Sequence, residues 1–323
     1  MPPNERSSSG EPERLEAAVV FPGQGSQRPG MGRDFHQAFA VARDTFSEAS
    51  EALHLDLRAL CFDDDPRLNL TEYTQPAILT VEIAMFRALE AEFGLRAQRF
   101  GGHSLGEYSA LCAAGVLPLG EAVRLVRARG ALMQRAAPVG SGCMVAVSGS
   151  KVGEGERLRA LQALPVDVAN HNSPDQVVLS GSRPDMQQAR QRLAERLADL
   201  PHELVDLNVS APFHSRWMQP VVEPLKVALQ EALANADTAP AARVTSNLTG
   251  ALHEPARAAL VEALAAQASR TLCWVANMRV LGACARIFEV GPGRPLRSFF
   301  KAVGRDVVSI VSLASAERAG LAA

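Results

Sequence analysis

Residues 101 to 108 read Gly101-Gly102-His103-Ser104-Leu105-Gly106-Glu107-Tyr108, and Gly102 to Gly106 fit the pattern G-x-S-x-G between a short extended segment and a helical one. That setting restricts the fold. A serine presented on a sharp strand-to-helix turn needs neighbours without side chains, because the chain doubles back tightly on itself, and this elbow belongs to α/β-hydrolase-like sheets. Ser104 is a candidate nucleophile there, and the free N–H groups at the start of the next helix can stabilise negative charge on a substrate oxygen. The plainer alternative is a serine that caps the helix.

The segments around the elbow agree with that fold class. Ala17-Ala18-Val19-Val20-Phe21 is an apolar run closed by Pro22-Gly23-Gln24-Gly25, which predicts a buried strand entering a tight turn. Helices are predicted over about 32 to 53 and 75 to 93, then a strand at Ala97-Gln98-Arg99-Phe100, a helix from Leu105 to about Gly115, and a long helix over about 121 to 137. Alternating strands and helices give a mainly parallel α/β sheet. From Gly142 the order becomes βαββαβ, the ferredoxin-like split pattern. The expected organisation is a disordered tail (1–15), an α/β-hydrolase-like catalytic subdomain (16–140 and 208–316) and an inserted ferredoxin-like small subdomain (141–207).

Composition narrows the function classes. With 47% hydrophobic and 21% charged residues the chain of 323 has material for a sizeable core, and a net charge of −2 offers no global basic field for nucleic acid. No apolar run is long enough to span a bilayer, so no membrane partner is expected. The five cysteines, Cys61, Cys112, Cys143, Cys273 and Cys284, show neither C-x-x-C pairing nor zinc-ligand spacing, which predicts reduced thiols, a cytoplasmic protein and no metal.

Of the seven histidines, His214 is the best placed to act as base for Ser104: it sits in the loop Ala211-Pro212-Phe213-His214-Ser215, after the inserted unit, and follows the serine in the order seen in α/β hydrolases. No acidic third member can be assigned, and a main-chain carbonyl can orient the imidazole instead. His103 either hydrogen-bonds substrate or fills space. The backbone N–H of Gln24, after a strand that can neighbour the elbow strand, can pair with that of Leu105 as an oxyanion hole; a plain glycine-rich turn is the alternative. In the long helix, Ala122, Leu125, Val126, Leu132, Met133 and Ala136 share one apolar face with Arg129 in its middle, while Arg124, Arg127 and Arg135 lie on the other side. An inward arginine cannot shed its charge, so it needs either an internal carboxylate or a ligand carboxylate held by its guanidinium fork.

Together these stretches resemble the malonyl-CoA:acyl carrier protein transacylase family, including the discrete acyltransferases that serve polyketide synthases. The matching pieces are Phe21-Pro22-Gly23-Gln24-Gly25-Ser26-Gln27, the elbow extended to Leu111, Arg129-Gly130, Met133-Gln134, Asn172-Ser173-Pro174, Ala211 to Ser215, Ser246-Asn247-Leu248-Thr249-Gly250 and Glu289-Val290-Gly291-Pro292-Gly293, in family order over about residues 16 to 315. The resemblance implies a malonyl group carried from malonyl-CoA through Ser104 to the phosphopantetheine thiol of an acyl carrier protein, in polyketide or fatty-acid biosynthesis, with no bound cofactor and a monomeric enzyme. It implies His214 as base and then acid, the N–H groups of Gln24 and Leu105 as oxyanion hole, Arg129 as ligand of the malonyl carboxylate, and Gln267 as the glutamine that orients that arginine or the substrate.

Two positions depart from the pattern. The strand before the elbow is more polar than the family's, and Phe213 puts a bulky ring beside the base, which is expected to disfavour α-alkylated extender units in part. An acyl hydrolase on the same scaffold is the competing enzymatic reading; it gains little from a buried arginine. The basic segment Arg294 to Lys301 either meets an acidic carrier helix or is a solvated face.

Overall fold

The apolar run Ala17–Phe21 forms strand β1, buried along its whole length. The computed structural model describes residues 17–137, 140–197, 200–209 and 211–321, so the expected tail at 1–15 lies outside the described residues. The remaining strands are β2 (Arg99–Gly102), β3 (Gly142–Gly149), β4 (Asp167–Ser173), β5 (Gln176–Ser182), β6 (His202–Asp206), β7 (Arg286–Val290) and β8 (Val308–Ile310). The helices are α1 (Arg33–Ala38), α2 (Ala40–Leu53), α3 (Leu57–Phe62), α4 (Thr71–Glu92), α5 (Gly106–Ala113), α6 (Leu119–Ala136), α7 (Gly155–Gln162), α8 (Arg183–Arg196), α9 (Gln219–Ala232), α10 (Arg257–Gln267), α11 (Trp274–Leu281), α12 (Leu296–Ala302) and α13 (Leu313–Glu317).

The strands form two sheets. One is parallel, in the order β2-β1-β7-β8, and the other is antiparallel, in the order β4-β5-β3-β6, which makes the chain a mixed α/β protein. In the parallel sheet Phe21 pairs with Gly102, so β1 and β2 end side by side. The turn after β1 and the elbow after β2 therefore emerge as neighbours, and the His103 N–H donates to the Phe21 carbonyl at 3.0 Å.

Three local expectations need correction. The helix predicted over 32 to 53 is two, because Phe39 is extended (φ −120°, ψ 133°) and its ring packs on Phe35 and Phe93. The elbow strand runs over Arg99–Gly102 and not Ala97 to Phe100; it is an edge strand, and the Gln98 side chain accepts a bond from the Ala17 N–H at 2.8 Å. Its polar start is thus a sheet-edge property. On α6 the buried positions also include Val123 and Gly130, and Leu132, only partly buried against the core, also borders an outer cleft with Arg124, Arg127 and Arg135. Gly130 is required there: a Cβ would stand 2.6 Å from the Thr71 carbonyl oxygen, so its absence lets α6 lie directly against the start of α4. The short helices α3, α11, α12 and α13 carry too few turns for a period to register.

Candidate active site

The elbow is built by steric need. A Cβ on Gly102 would fall 1.9 Å from the Gly106 carbonyl, and one on Gly106 would fall 2.2 Å from the Phe21 carbonyl. Between them Ser104 has φ +54°, a left-handed conformation that a serine holds only when its surroundings impose it. Asn247 imposes it. Its Oδ1 accepts from the Ser104 N–H at 2.8 Å and its Nδ2 donates to the Gly102 carbonyl at 2.7 Å, clamping both sides of the turn.

Ser104 Oγ lies 2.8 Å from His214 Nε2, and His214 Nδ1 lies 2.9 Å from the carbonyl oxygen of Gln267. A carbonyl only accepts, so Nδ1 carries the proton and Nε2 is left to accept from the serine. The orienting group is thus a main-chain carbonyl, and among the described residues no carboxylate hydrogen-bonds to the imidazole. Burial, and secondarily the nearby Arg129 charge, push the His214 pKa down to about 3, against a smaller opposing effect of the Gln267 carbonyl. The ring therefore stays neutral through the ordinary imidazole range, with Nε2 facing the serine hydroxyl.

Arg129 comes to the same point from α6. It is 1% exposed; its Nη1 donates to Gln75 Oε1 at 2.9 Å, and its Nη2 donates to Gln267 Oε1 at 2.8 Å and to Ser104 Oγ at 3.1 Å. The guanidinium lies over the Tyr108 ring at 5.2 Å, and its Nε has no acceptor. Burial pulls its pKa below the ordinary value. Among the described residues no carboxylate forms an ion pair with it. Of the two partners the sequence left open, no internal carboxylate among the described residues pairs directly with Arg129, and a buried cation one hydrogen bond from the serine faces an open cleft.

That cleft, of about 400 Å³, is lined by Gln24, Gln75, His103, Ser104, Arg129, Met133, Phe213 and His214, among others. Neither the Gln24 nor the Leu105 backbone N–H has an acceptor among the described residues, while the Gln24 side chain is tied to Thr71 Oγ1 at 3.3 Å. His103 Nε2 contacts Asn172 Oδ1 at 2.8 Å, and its ring meets Trp274 edge-on at 5.6 Å. Burial lowers its pKa. Phe213 is 6% exposed and sits in the cleft wall beside the base. Of the site residues named from the sequence, Gln24, His103, Ser104, Arg129, Phe213 and His214 line this cleft, Gln267 bonds to Ser104 and Arg129 beside it, and Leu105 is buried directly after Ser104 in the elbow.

Residues 18–285 match the acyl transferase domain family. The malonyl CoA-acyl carrier protein transacylase of Escherichia coli O157:H7 is 37% identical over 296 residues, covering 88% of this chain and 92% of the relative. The chain belongs to the malonyl-CoA:acyl carrier protein transacylase family. Solved structures agree: the crystal structure of FabD from Acinetobacter baumannii superposes with a TM-score of 0.85 at 36% identity, covering 95% of this chain and 97% of that one. A malonyl-transacylase described in complex with a type II polyketide synthase acyl-carrier protein, PlMCAT:AntF in its holo form, superposes with a TM-score of 0.83 at 34% identity, covering 94% and 98%.

Within this transacylase fold two residues at the site have no role assigned from the sequence, although Asn247 lies in one of the stretches that match the family. Gln75 on α4 and Asn247 in a loop reach the site from 54 and 143 residues away from their partners. Gln267 does more than orient the arginine: its Nε2 also donates to the Ser104 carbonyl at 2.9 Å and to Glu107 Oε2 at 2.7 Å.

Proposed function

We propose that this acyltransferase moves a malonyl group from malonyl-CoA to the phosphopantetheine thiol of an acyl carrier protein by way of a Ser104 ester. The observation that carries the reading is the unpaired Arg129 guanidinium at hydrogen-bond distance from the nucleophile. Malonate places its free carboxylate one methylene beyond the reacting carbonyl, so a cation beside Ser104 Oγ meets a short diacid and has nothing to bind on acetate.

Ser104 Oγ attacks the thioester carbonyl while His214 Nε2 takes the hydroxyl proton. The tetrahedral oxyanion rests on the free N–H groups of Gln24 and Leu105. The carbon–sulfur bond breaks, and the His214 proton goes to the departing coenzyme A sulfur. The second half reverses these steps with the carrier thiol as nucleophile and Ser104 as leaving group. His103, held by Asn172, shapes the wall of the substrate cleft.

The reading extends to organisation: an α/β-hydrolase-like catalytic subdomain at 16–140 and 208–316, and a ferredoxin-like small subdomain at 141–207. The latter is supported by the antiparallel order β4-β5-β3-β6 that a βαββαβ unit produces. The enzyme is read as a cytoplasmic monomer whose chemistry needs no cofactor; no helix among the described residues is long and apolar enough to cross a membrane.

Incubated with malonyl-CoA and a phosphopantetheinylated carrier, the enzyme should deliver most malonyl to the carrier thiol, and free malonate as the main product would favour the hydrolase. Phe213→Ala should widen the wall beside the base and raise kcat/KM for methylmalonyl-CoA relative to malonyl-CoA by roughly tenfold; an unchanged ratio would remove Phe213 from specificity. The single-turnover rate of Ser104 acylation should stay nearly flat from about pH 7 to 5, because His214 titrates far below the free imidazole range. An inflection near the ordinary imidazole value would contradict that. The same shift bears on stability: the unfolded chain takes up this proton below about pH 6.5 and the folded chain does not, so this stabilising contribution is present above 6.5 and is lost as pH falls toward 3.

A further inference from the structure

Beneath the Ser104–His214–Arg129 cluster lies a second, buried layer. Glu107, on the first turn of α5, is 0% exposed; its Oε2 accepts from Gln267 Nε2 at 2.7 Å and from the Asn247 N–H at 3.1 Å. On its far side His253 Nε2 packs 2.7 Å from Glu107 Oε1, a close approach without hydrogen-bond geometry, the histidine side chain being 2% exposed. Among the described residues no lysine or arginine pairs with this carboxylate.

A glutamine amide fits a site in two ways that exchange its oxygen and nitrogen. Here the oxygen faces Arg129 Nη2, and the nitrogen faces two groups that only accept, the Ser104 carbonyl and the Glu107 carboxylate. The exchanged orientation would set donors against donors at Arg129 and acceptors against acceptors at Glu107. The amide dipole therefore lies head to tail between the carboxylate and the guanidinium, and it supplies through one intervening group the compensation that Arg129 lacks by direct contact.

We propose that Glu107 is a positioning residue for malonyl selectivity: it locks the Gln267 amide in the orientation that holds Arg129 for the substrate carboxylate, with His253 bracing it from behind. The proposal rests on the reading of Arg129 as the carboxylate ligand. Glu107→Gln keeps the volume of the side chain and removes its charge and its acceptor-only character.

The test measures kcat and KM for malonyl-CoA and acetyl-CoA in the wild-type chain, Glu107→Gln, Arg129→Ala and the double variant. Glu107→Gln should lower kcat/KM for malonyl-CoA by about tenfold or more, chiefly through KM, while acetyl-CoA changes by less than about threefold. In the Arg129→Ala background the same substitution should have no further effect on the malonyl-to-acetyl ratio. Glu107→Asp, which keeps the charge but withdraws it by a methylene, should show a smaller loss of the same malonyl-specific kind and serves if Glu107→Gln does not fold. Equal losses on both thioesters would assign Glu107 a scaffold role and overturn the proposal, as would an unchanged ratio in Glu107→Gln beside a lost preference in Arg129→Ala. If Arg129→Ala itself keeps the malonyl preference, the reading of Arg129 fails and this proposal with it.

Discussion

Arg129→Ala should cost malonyl-CoA roughly a hundredfold or more in kcat/KM, while acetyl-CoA keeps or gains rate. The expectation follows from where the charge sits. The guanidinium is buried, Gln75 and Gln267 solvate it with neutral oxygens, and no carboxylate among the described residues neutralises it. On the proposed function a malonyl carboxylate would complete the pairing and restore the interaction that burial removed, whereas an acetyl methyl would leave the charge unpaired in the cleft. Alanine removes both the attraction for the diacid and the penalty for the apolar group, so selectivity should collapse from both sides. Parallel steady-state kinetics on the two thioesters read it directly, and a variant that keeps its malonyl preference would refute the role.

Why Arg129 was legible in the sequence, and the parts played by Gln75 and Asn247 were not, is a matter of range. Helical periodicity turns residue 129 inward from its own segment alone, and G-x-S-x-G fixes the elbow within five residues, because tight turns are governed by local sterics. The βαββαβ order of the smaller sheet is likewise a local succession. By contrast, Asn247 reaches the Ser104 N–H across 143 residues, and Gln75 reaches Arg129 across 54; a single polar residue on a helix or in a loop has no period to announce it. Glu107 stood in the motif from the start, yet its task became visible only with the Gln267 amide and His253 packed against it. The break at Phe39 belongs to the same class, since ring contacts with Phe93 lie outside any local window.

Ser104→Ala should abolish the covalent intermediate and lower carrier malonylation by roughly 10⁴-fold or more. Three independent features converge on this hydroxyl: a left-handed serine imposed by Asn247 and the elbow glycines, an imidazole nitrogen at 2.8 Å with its other nitrogen anchored on a carbonyl, and the guanidinium at 3.1 Å. Alanine leaves His214 and Arg129 in place but removes the hydroxyl oxygen that both contact. The direct measurement is intact-protein mass spectrometry after brief exposure to malonyl-CoA. The wild-type chain should gain one malonyl group that peptide mapping places on Ser104 and that a carrier thiol discharges, with no such gain in Ser104→Ala; a malonyl adduct of equal occupancy on Ser104→Ala would contradict the account.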